Sequence, residues 1–313
     1  MILVKGRIKE ALRLIKQRIA RNLAWRRLSD TLFPTEVWIE NTNLCNARCV
    51  MCPRDKHIRP PGVMDFGLFE KIIAEIAGHR RFVYRVHFHN YGEPLIDLRL
   101  AERIRIAKAH GIRRTYFVTN ASLLTPDRTR ELIKAGLDEF KISFYGTDAK
   151  SYNATMVGLD FDKTVGNVRD FFRIRRQLKV RNPSVVIQYL PQESNSGTVD
   201  AFKSLFGQMI NERLGDRINI FSLHNFAGGR EFNKLPEKVQ SICDYPWRTM
   251  VILNSGDVVL CCLDYNGVQV AGNVRNDSLQ AVWLGQRMQK ARQQFKQLNY
   301  SVFPACLRCE RIR

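Results

Sequence analysis

The sequence contains no apolar run that approaches the ~20 residues of a membrane-spanning helix. Its first residues carry charges every few positions and therefore lack the apolar core of a secretory signal peptide. It has no internal repeat and no low-complexity segment, which excludes repeat architectures. With an apolar fraction of 45%, the chain suits one large domain, or one large and one small. We therefore expect a cytoplasmic globular protein.

Acidic residues are few, because 30 Asp and Glu stand against 50 Lys and Arg, a formal charge of +20. Such an excess is typical of proteins that meet nucleic acid, an anionic membrane surface or an anionic substrate. Much of it lies in residues 1–30, where apolar side chains recur at helical spacing. We predict a basic amphipathic helical extension over residues 1–34. It either packs its apolar stripe on the main domain, the commoner use, or makes peripheral contact with a membrane.

Cysteine is absent from the long stretch between residues 52 and 243. The eight cysteines of the chain fall into two groups on either side of it, 45/49/52 and 243/261/262/306/309. A disulfide framework would rarely leave such a gap, and clustered cysteines in a reducing compartment more often bind metal. The distribution therefore favours two metal sites.

The first group forms one short loop, with Cys45, Cys49 and Cys52 spaced by three residues and then two. Three thiolates can hold three irons of a cubane iron–sulfur cluster and leave the fourth iron open. An open position on a metal is typical of a catalytic site. The alternative is a zinc knuckle, for which His57 is close enough in sequence to supply a fourth ligand.

Strand and helix patterns alternate along most of the chain. We predict helices over residues 66–76, 98–109, 125–136, 162–178 and 199–214, and strands over residues 37–39, 84–89, 115–119, 140–144, 185–190 and 218–223. Six strands that alternate with helices predict an α/β fold, a partial (β/α)6 TIM-like barrel over residues 35–226. The three-cysteine loop follows the first strand, so it lies at the carboxyl ends of the strands, where such barrels carry active sites.

The pattern changes after residue 226. Residues 227–242 are rich in charge and contain two adjacent glycines, which is typical of a linker. Residues 243–313 form the predicted C-terminal domain, with a β-hairpin over residues 249–253 and 258–261 and a helix over residues 279–295.

In its context the first cysteine group resembles the C-x3-C-x2-C signature of the radical S-adenosylmethionine (SAM) superfamily, over roughly residues 35–225. The resemblance implies a [4Fe–4S] cluster that binds SAM, with Met51 near the adenine. It also implies cofactor contacts at Gly92, Glu93 and Pro94 after the second strand, and at Thr119, Asn120 and Ser143 at later strand ends. For these strand-end residues a structural hydrogen bond to a loop is an equal alternative.

The second cysteine group resembles the SPASM/twitch extension of radical SAM enzymes, in the shortened form found with aminocyclitol dehydrogenases. The resemblance implies one auxiliary [4Fe–4S] cluster with four protein ligands: Cys243, Cys261, Cys306 and Cys309. A fully ligated cluster suits electron transfer, and a structural role is the alternative. Cys262 points away from Cys261 in a strand, and we interpret it as a small buried side chain or as a hydrogen donor.

These features together predict a radical SAM oxidoreductase that dehydrogenates an alcohol of a sugar or aminocyclitol. The auxiliary cluster would accept an electron, and a reductant such as flavodoxin or ferredoxin would be the partner. The candidate catalytic residues lie at or after strand ends: Tyr145, Gln188, His224, Arg230 and Cys262. The alternatives are an epimerase, which needs a hydrogen donor such as Cys262, and a peptide-modifying maturase. A metal module that binds nucleic acid is more distant, since no known nucleic-acid-binding motif is present.

Overall fold

The computed structural model describes residues 32–191, 198–221, 223–230, 239 and 241–313. The predicted extension over residues 1–34, with its proposed membrane contact, therefore lies almost wholly outside the described residues, and the predicted linker does so in part. Among the described helices, none is long and apolar enough to cross a bilayer.

The central sheet confirms the predicted α/β barrel. The strands of the barrel are β1 (Glu36–Ile39), β3 (Arg85–His87), β4 (Thr115–Thr119), β5 (Glu139–Ser143), β7 (Ser184–Tyr189) and β8 (Arg217–Ile220). These six strands run parallel in the spatial order β1-β3-β4-β5-β7-β8. A separate two-stranded pair, β2 (Arg48–Cys49) with β6 (Met156–Val157), lies outside this sheet.

The crossover helices follow the capping signals in the sequence. The third helix begins after Thr125, whose hydroxyl accepts the Arg128 amide, and ends at Gly136 with a left-handed φ of 83°. The helices before the C-terminal region are α1 (Phe66–Gly78), α2 (Leu100–Ala109), α3 (Pro126–Ala135), α4 (Ala149–Thr155), α5 (Phe161–Gln177) and α6 (Val199–Phe206).

Two predicted helices are shorter than expected. The helix predicted over residues 199–214 ends at Phe206 and continues only as short 3-10 turns, because Ile210 and Asn211 adopt extended backbone. The helix predicted over residues 279–295 is two helices, α8 (Leu279–Leu284) and α9 (Gln286–Lys296). Gly285 divides them with an extended conformation, φ −66° and ψ 160°.

The C-terminal hairpin is confirmed, with β9 (Thr249–Ile252) antiparallel to β10 (Asp257–Val259). The strand β9 also pairs in parallel with β1, and β11 (Val270–Asn273) pairs with β10. The hairpin therefore continues the barrel sheet, which has nine strands within the described residues. Two short helices complete the region: α7 (Tyr245–Arg248) and α10 (Pro304–Leu307).

Alternation along the strands separates an apolar layer from a polar lumen. The side chains beneath the helices are apolar and almost fully buried, as at Val37, Ile39, Val86, Phe88, Phe117, Phe140 and Ile142. The alternate positions, such as Trp38, His87 and Lys141, face the inside of the barrel. The fold thus provides a polar interior that opens at the carboxyl ends of the strands.

Candidate active site

The three-cysteine loop is fixed by backbone pairing rather than by a long element. β2 contains Cys49 and pairs with β6, and the Val50 amide donates to the Thr155 carbonyl at 3.0 Å. The Cys52 amide donates to the Cys49 carbonyl at 3.0 Å. All three thiols are free and partly exposed. The loop therefore presents three thiols from a rigid turn, which fits a cluster with one open iron.

Burial raises the pKa of each thiol in this loop, to about 11 for Cys45. The pKa of Cys49 is raised most by its burial, and then by the charges of Cys52 and Cys45, which oppose its ionisation. Iron ions compensate such repulsion, since a coordinating thiol is deprotonated outright. Three free thiolates in this loop would therefore be energetically unfavourable, whereas iron ions would stabilise them.

Arg230, a candidate catalytic residue in the sequence, binds the three-cysteine loop (residues 45–52). Its guanidinium donates to the Cys52 carbonyl at 2.5 Å and to the Asp55 carboxylate at 2.6 and 3.1 Å. This chain segment returns to the loop after β8 and clamps it.

His57 does not stand free as a zinc ligand. Its Nε2 lies 2.5 Å from the Tyr265 carbonyl oxygen and 3.0 Å from the Arg59 guanidinium. The imidazole therefore joins the loop to the C-terminal region.

Gly92 lets the loop that follows β3 approach the three-cysteine loop. A Cβ at this position would lie 2.2 Å from the Thr42 carbonyl oxygen and 2.8 Å from that of Leu44. The adjacent Glu93 amide donates to the Leu44 carbonyl at 2.7 Å. Only glycine fits such a contact, so the backbone of residues 90–92 lies directly beside the cysteines.

The carboxylate of Glu93 is turned toward the strand ends. It accepts the Thr119 hydroxyl at 2.6 Å, the Asn120 amide at 2.7 Å and the Leu95 amide at 3.1 Å. Burial raises its pKa to about 7 against the effect of these donors. The Asn120 side chain bonds other partners: it donates to Asn46 Oδ1 at 3.0 Å and accepts from the Ser122 amide and hydroxyl.

A cavity of about 390 Å3 opens beside the loop and contains most of the candidate catalytic residues. Its lining joins Met51, next to the last cysteine of the loop, with residues of the barrel and of the C-terminal region. The predicted residues that line it are Met51, Tyr145, Gln188, His224 and Cys262.

Tyr145 and Gln188 form one polar group with Ser143. The Gln188 side-chain amide donates to the Tyr145 hydroxyl at 3.2 Å, and Tyr145 also hydrogen-bonds Ser143. Burial raises the pKa of Tyr145 to about 12. Tyr145 is therefore a proton donor at neutral pH rather than a base.

His224 presents a donor to the cavity. Burial lowers its pKa to about 4, so the ring is neutral. Its Nδ1 accepts the Phe226 amide at 3.2 Å, and the ring proton therefore resides on Nε2.

Three further cavity residues, Trp38, His89 and Lys141, come from inside the barrel. Burial holds the pKa of His89 well below its usual value, and its Nδ1 has no partner among the described residues. Strand alternation is the signal that could have found these residues, because each faces the lumen.

The four predicted auxiliary ligands meet around a second, small cavity. Cys243, Cys261, Cys306 and Cys309 all line it, although they come from three separate segments of the C-terminal region. Four thiols around one enclosed apolar space fit a fully ligated cluster.

Cys262 does not point away from Cys261 as predicted: both follow β10 (Asp257–Val259) in a turn rather than in a strand, and their side chains hydrogen-bond each other. The Cys262 side chain lines the larger cavity and lies 3.7 Å from the Tyr245 hydroxyl. Arg311 lines both cavities. The auxiliary site and the larger cavity therefore share a wall.

Comparison with known proteins agrees with this division of the chain. The model of the radical SAM superfamily matches residues 39–188, and that of SPASM, an iron–sulfur cluster-binding domain, matches residues 243–310. A tungsten-containing aldehyde ferredoxin oxidoreductase cofactor-modifying protein of Pyrococcus furiosus is 24% identical, over 87% of this chain and 86% of the relative. An S-adenosyl-L-methionine-dependent 2-deoxy-scyllo-inosamine dehydrogenase of Niallia circulans is 21% identical, over 90% and 95%.

Solved structures show the same fold. BtrN in complex with AdoMet and 2-DOIA superimposes with a TM-score of 0.62 at 19% identity, over 90% of this chain and 94% of that one. SuiB of Streptococcus suis, bound to its precursor peptide SuiA, gives a TM-score of 0.67 at 14% identity, over 96% and 76%. Similar folds thus accept both a small molecule and a peptide, and the substrate must be argued from the cavity.

Proposed function

We propose that this chain, which belongs to the radical SAM superfamily and carries a C-terminal SPASM domain, dehydrogenates an alcohol carbon of a small polyhydroxylated substrate such as a sugar or aminocyclitol. Cys45, Cys49 and Cys52 hold the [4Fe–4S] cluster that binds SAM, and Cys243, Cys261, Cys306 and Cys309 hold one auxiliary [4Fe–4S] cluster. When bound, SAM on its cluster supplies a 5′-deoxyadenosyl radical that removes a substrate hydrogen atom.

The shared wall between the two sites carries this proposal. The cavity touches the SAM-cluster loop at Met51 and the auxiliary site at Cys262 and Arg311. Oxidation of an alcohol removes a hydrogen atom, a proton and one further electron. A substrate in this cavity lies beside a site that can accept that electron.

His89 is the residue we assign to accept the hydroxyl proton. It is buried, it lines the cavity, and its lowered pKa keeps the imidazole neutral at pH 7. Tyr145 holds its own proton too tightly, and His224 presents an N–H group. A neutral imidazole has one unprotonated nitrogen that can accept a proton, although its lowered pKa makes His89 a weaker base than a free histidine.

An external one-electron reductant completes the proposal. The formal charge of +20 favours an acidic partner such as flavodoxin or ferredoxin.

The test uses anaerobically reconstituted protein with dithionite, SAM and a panel of polyols deuterated at the alcohol carbons. A dehydrogenase transfers deuterium to 5′-deoxyadenosine and yields one ketone product per 5′-deoxyadenosine, which mass spectrometry detects. His89→Gln should lower product formation by ~10²-fold or more, as for loss of a general base. Deuterium transfer without any oxidised product would overturn the dehydrogenase assignment.

A second candidate, an epimerase, is favoured by one observation. The Cys262 thiol lines the cavity beside the Tyr245 hydroxyl, where it can return a hydrogen atom to a substrate radical. Cys262→Ala should abolish turnover by an epimerase and change that of a dehydrogenase only a few-fold. Uptake of solvent deuterium at the reacting carbon would identify the epimerase.

A further inference from the structure

Lys141 occupies the inside of the barrel, one layer below the strand ends. It lies on β5 opposite Val118 of β4 and Val186 of β7, two residues before Ser143. Its side chain lines the 390 Å3 cavity and is mostly buried. The amine therefore faces the space in which a substrate would lie.

No carboxylate forms an ion pair with this amine among the described residues. The Lys141 side chain also makes no hydrogen bond to any of them. The nearest acidic residue of its own strand, Glu139, is shared by three arginines: Arg85 at 3.3 Å, Arg114 at 3.8 Å and Arg217 at 3.7 Å.

The electrostatic surroundings of Lys141 are therefore positive. Burial, and then the charge of Arg217, lower its pKa; the charge of Glu139 opposes this in part, and that of Arg85 lowers the pKa further. A buried cation without a partner is costly, and an anionic ligand would remove that cost.

The other residues that line the cavity present more hydrogen-bond donors than acceptors. No Asp or Glu is among the described residues that line the cavity. Two buried donors, Trp38 Nε1 and Asn90 Nδ2, have no partner there, and His224 presents a third. Two buried acceptors also lack a partner there, the Oε1 of Gln188 and the imidazole of His89, and the Tyr91 hydroxyl can donate or accept. Such a lining suits a ligand rich in acceptor oxygens.

We propose that the substrate carries a carboxylate or phosphate group and that Lys141 binds this anion inside the barrel. The inference rests on the proposed function and narrows its substrate class to anionic polyols, such as sugar acids or sugar phosphates. A cationic amino sugar in the same position would bring its ammonium group toward Lys141 and toward unpaired donors. Like charges in a buried site are strongly unfavourable.

The carboxylate of SAM is the competing anion for this lysine. Ser143 and the backbone beside Gly92 lie at the strand ends and next to the cluster loop, whereas Lys141 lies deeper in the lumen. Lys141 is therefore assigned to the substrate, and SAM binding should not depend on it.

The test measures equilibrium binding to the reconstituted holoenzyme without reductant, so that no turnover occurs. Isothermal titration calorimetry would compare gluconate, glucose 6-phosphate, glucose and glucosamine in the presence of saturating SAM. We expect an anionic probe to bind about tenfold or more tightly than glucosamine, because a hydrogen bond to a charged group adds that much. Gluconate and glucose 6-phosphate distinguish a carboxylate site from a phosphate site.

Substitutions test whether Lys141 is the residue that binds the anionic probe. Lys141→Met keeps the aliphatic stem and should lower affinity for the anionic probe about tenfold. Lys141→Arg, which retains the charge, should restore part of it. Lys134→Met makes the same change at an exposed position of α3 and should leave binding unchanged.

Three results would overturn the proposal. One is that neither anion binds more tightly than glucosamine to the wild-type protein, which needs no variant to fold. Another is that Lys141→Met leaves anion binding unchanged. The third is that Lys141→Met weakens SAM instead, which would assign the lysine to the cofactor. None of these bears on whether the enzyme dehydrogenates its substrate, since that is read from 5′-deoxyadenosine and ketone formation.

Discussion

The two cysteine sites use the same ligand chemistry in opposite settings. The loop of Cys45, Cys49 and Cys52 offers three thiols, and its Met51 lines a 390 Å3 cavity. The C-terminal site brings Cys243, Cys261, Cys306 and Cys309 around a small enclosed space. The difference indicates that a missing fourth thiol and adjoining space make a cluster reactive, whereas full ligation and enclosure leave it only electrons to exchange.

The largest expected difference between the sites comes from removal of one ligand from each. Cys49→Ala should abolish formation of 5′-deoxyadenosine, because the cluster that binds SAM loses a ligand. Cys306→Ala should retain it and lose the oxidised product. The measurement is the amount of 5′-deoxyadenosine and of product after anaerobic incubation with dithionite and SAM.

Iron content checks the same pair of variants. Two cubane clusters give about eight iron per chain in the wild type, and each variant should hold about four. If Cys306→Ala also abolished 5′-deoxyadenosine while it retained about four iron, the two sites would not be functionally separable.

A smaller effect is expected at the glycine that seats the SAM-cluster loop. Gly92→Ala places a Cβ 2.2 Å from the Thr42 carbonyl oxygen, and we expect a loss on the order of 2–3 kcal/mol in the free energy of unfolding. Gly78→Ala is the matched control, since a Cβ there meets nothing within 4 Å. Chemical denaturation would compare the two variants.

The iron content of Gly92→Ala shows which of the two cysteine sites the substitution affects. Gly92→Ala should reduce iron bound by the SAM-cluster loop and leave the auxiliary cluster intact. Equal stability of the two alanine variants would contradict the close packing described for residues 90–92.

The smallest expected effect concerns the clamp on the same loop. Arg230→Gln removes an ion pair with Asp55, which is exposed, and weakens the bond to the Cys52 carbonyl. We expect a few-fold faster loss of the SAM-binding cluster under air, about 1 kcal/mol at most. Arg173→Gln, which breaks a similar exposed pair with Asp170, is the control and should leave that rate unchanged. Loss of the cluster is followed by its visible absorbance.

Most of the barrel could be predicted from the sequence because its signals are local. Hydrophobic alternation and helix caps, such as Thr125 before Pro126, locate the six strands and most helices. The breaks after Phe206 and at Gly285 could not be predicted, because their apolar pattern is compatible with one continuous helix.

The cysteines of both sites were predictable for a similar reason, since their spacing is recorded in the chain. Of the cavity walls, Tyr145, Gln188, His224 and Cys262 were predicted from their places at or after strand ends, whereas Lys141 was not. Alternation gives the face of Lys141 on its strand, but the pairing of β4, β5 and β7 decides that this face lines a cavity, and Arg230 reaches the three-cysteine loop from a distant segment. Contacts of this kind are set by tertiary structure, and no motif records them.

The parallel pairing of β9 with β1 has a mechanical consequence. The three-cysteine loop follows β1, and Cys261 follows β10, which pairs with β9 and through it with β1, so one hydrogen-bonded sheet connects the two cysteine sites. Core strands of this kind separate only when the whole domain unfolds. The distance between the two cysteine sites is therefore set by strand register rather than by a hinge.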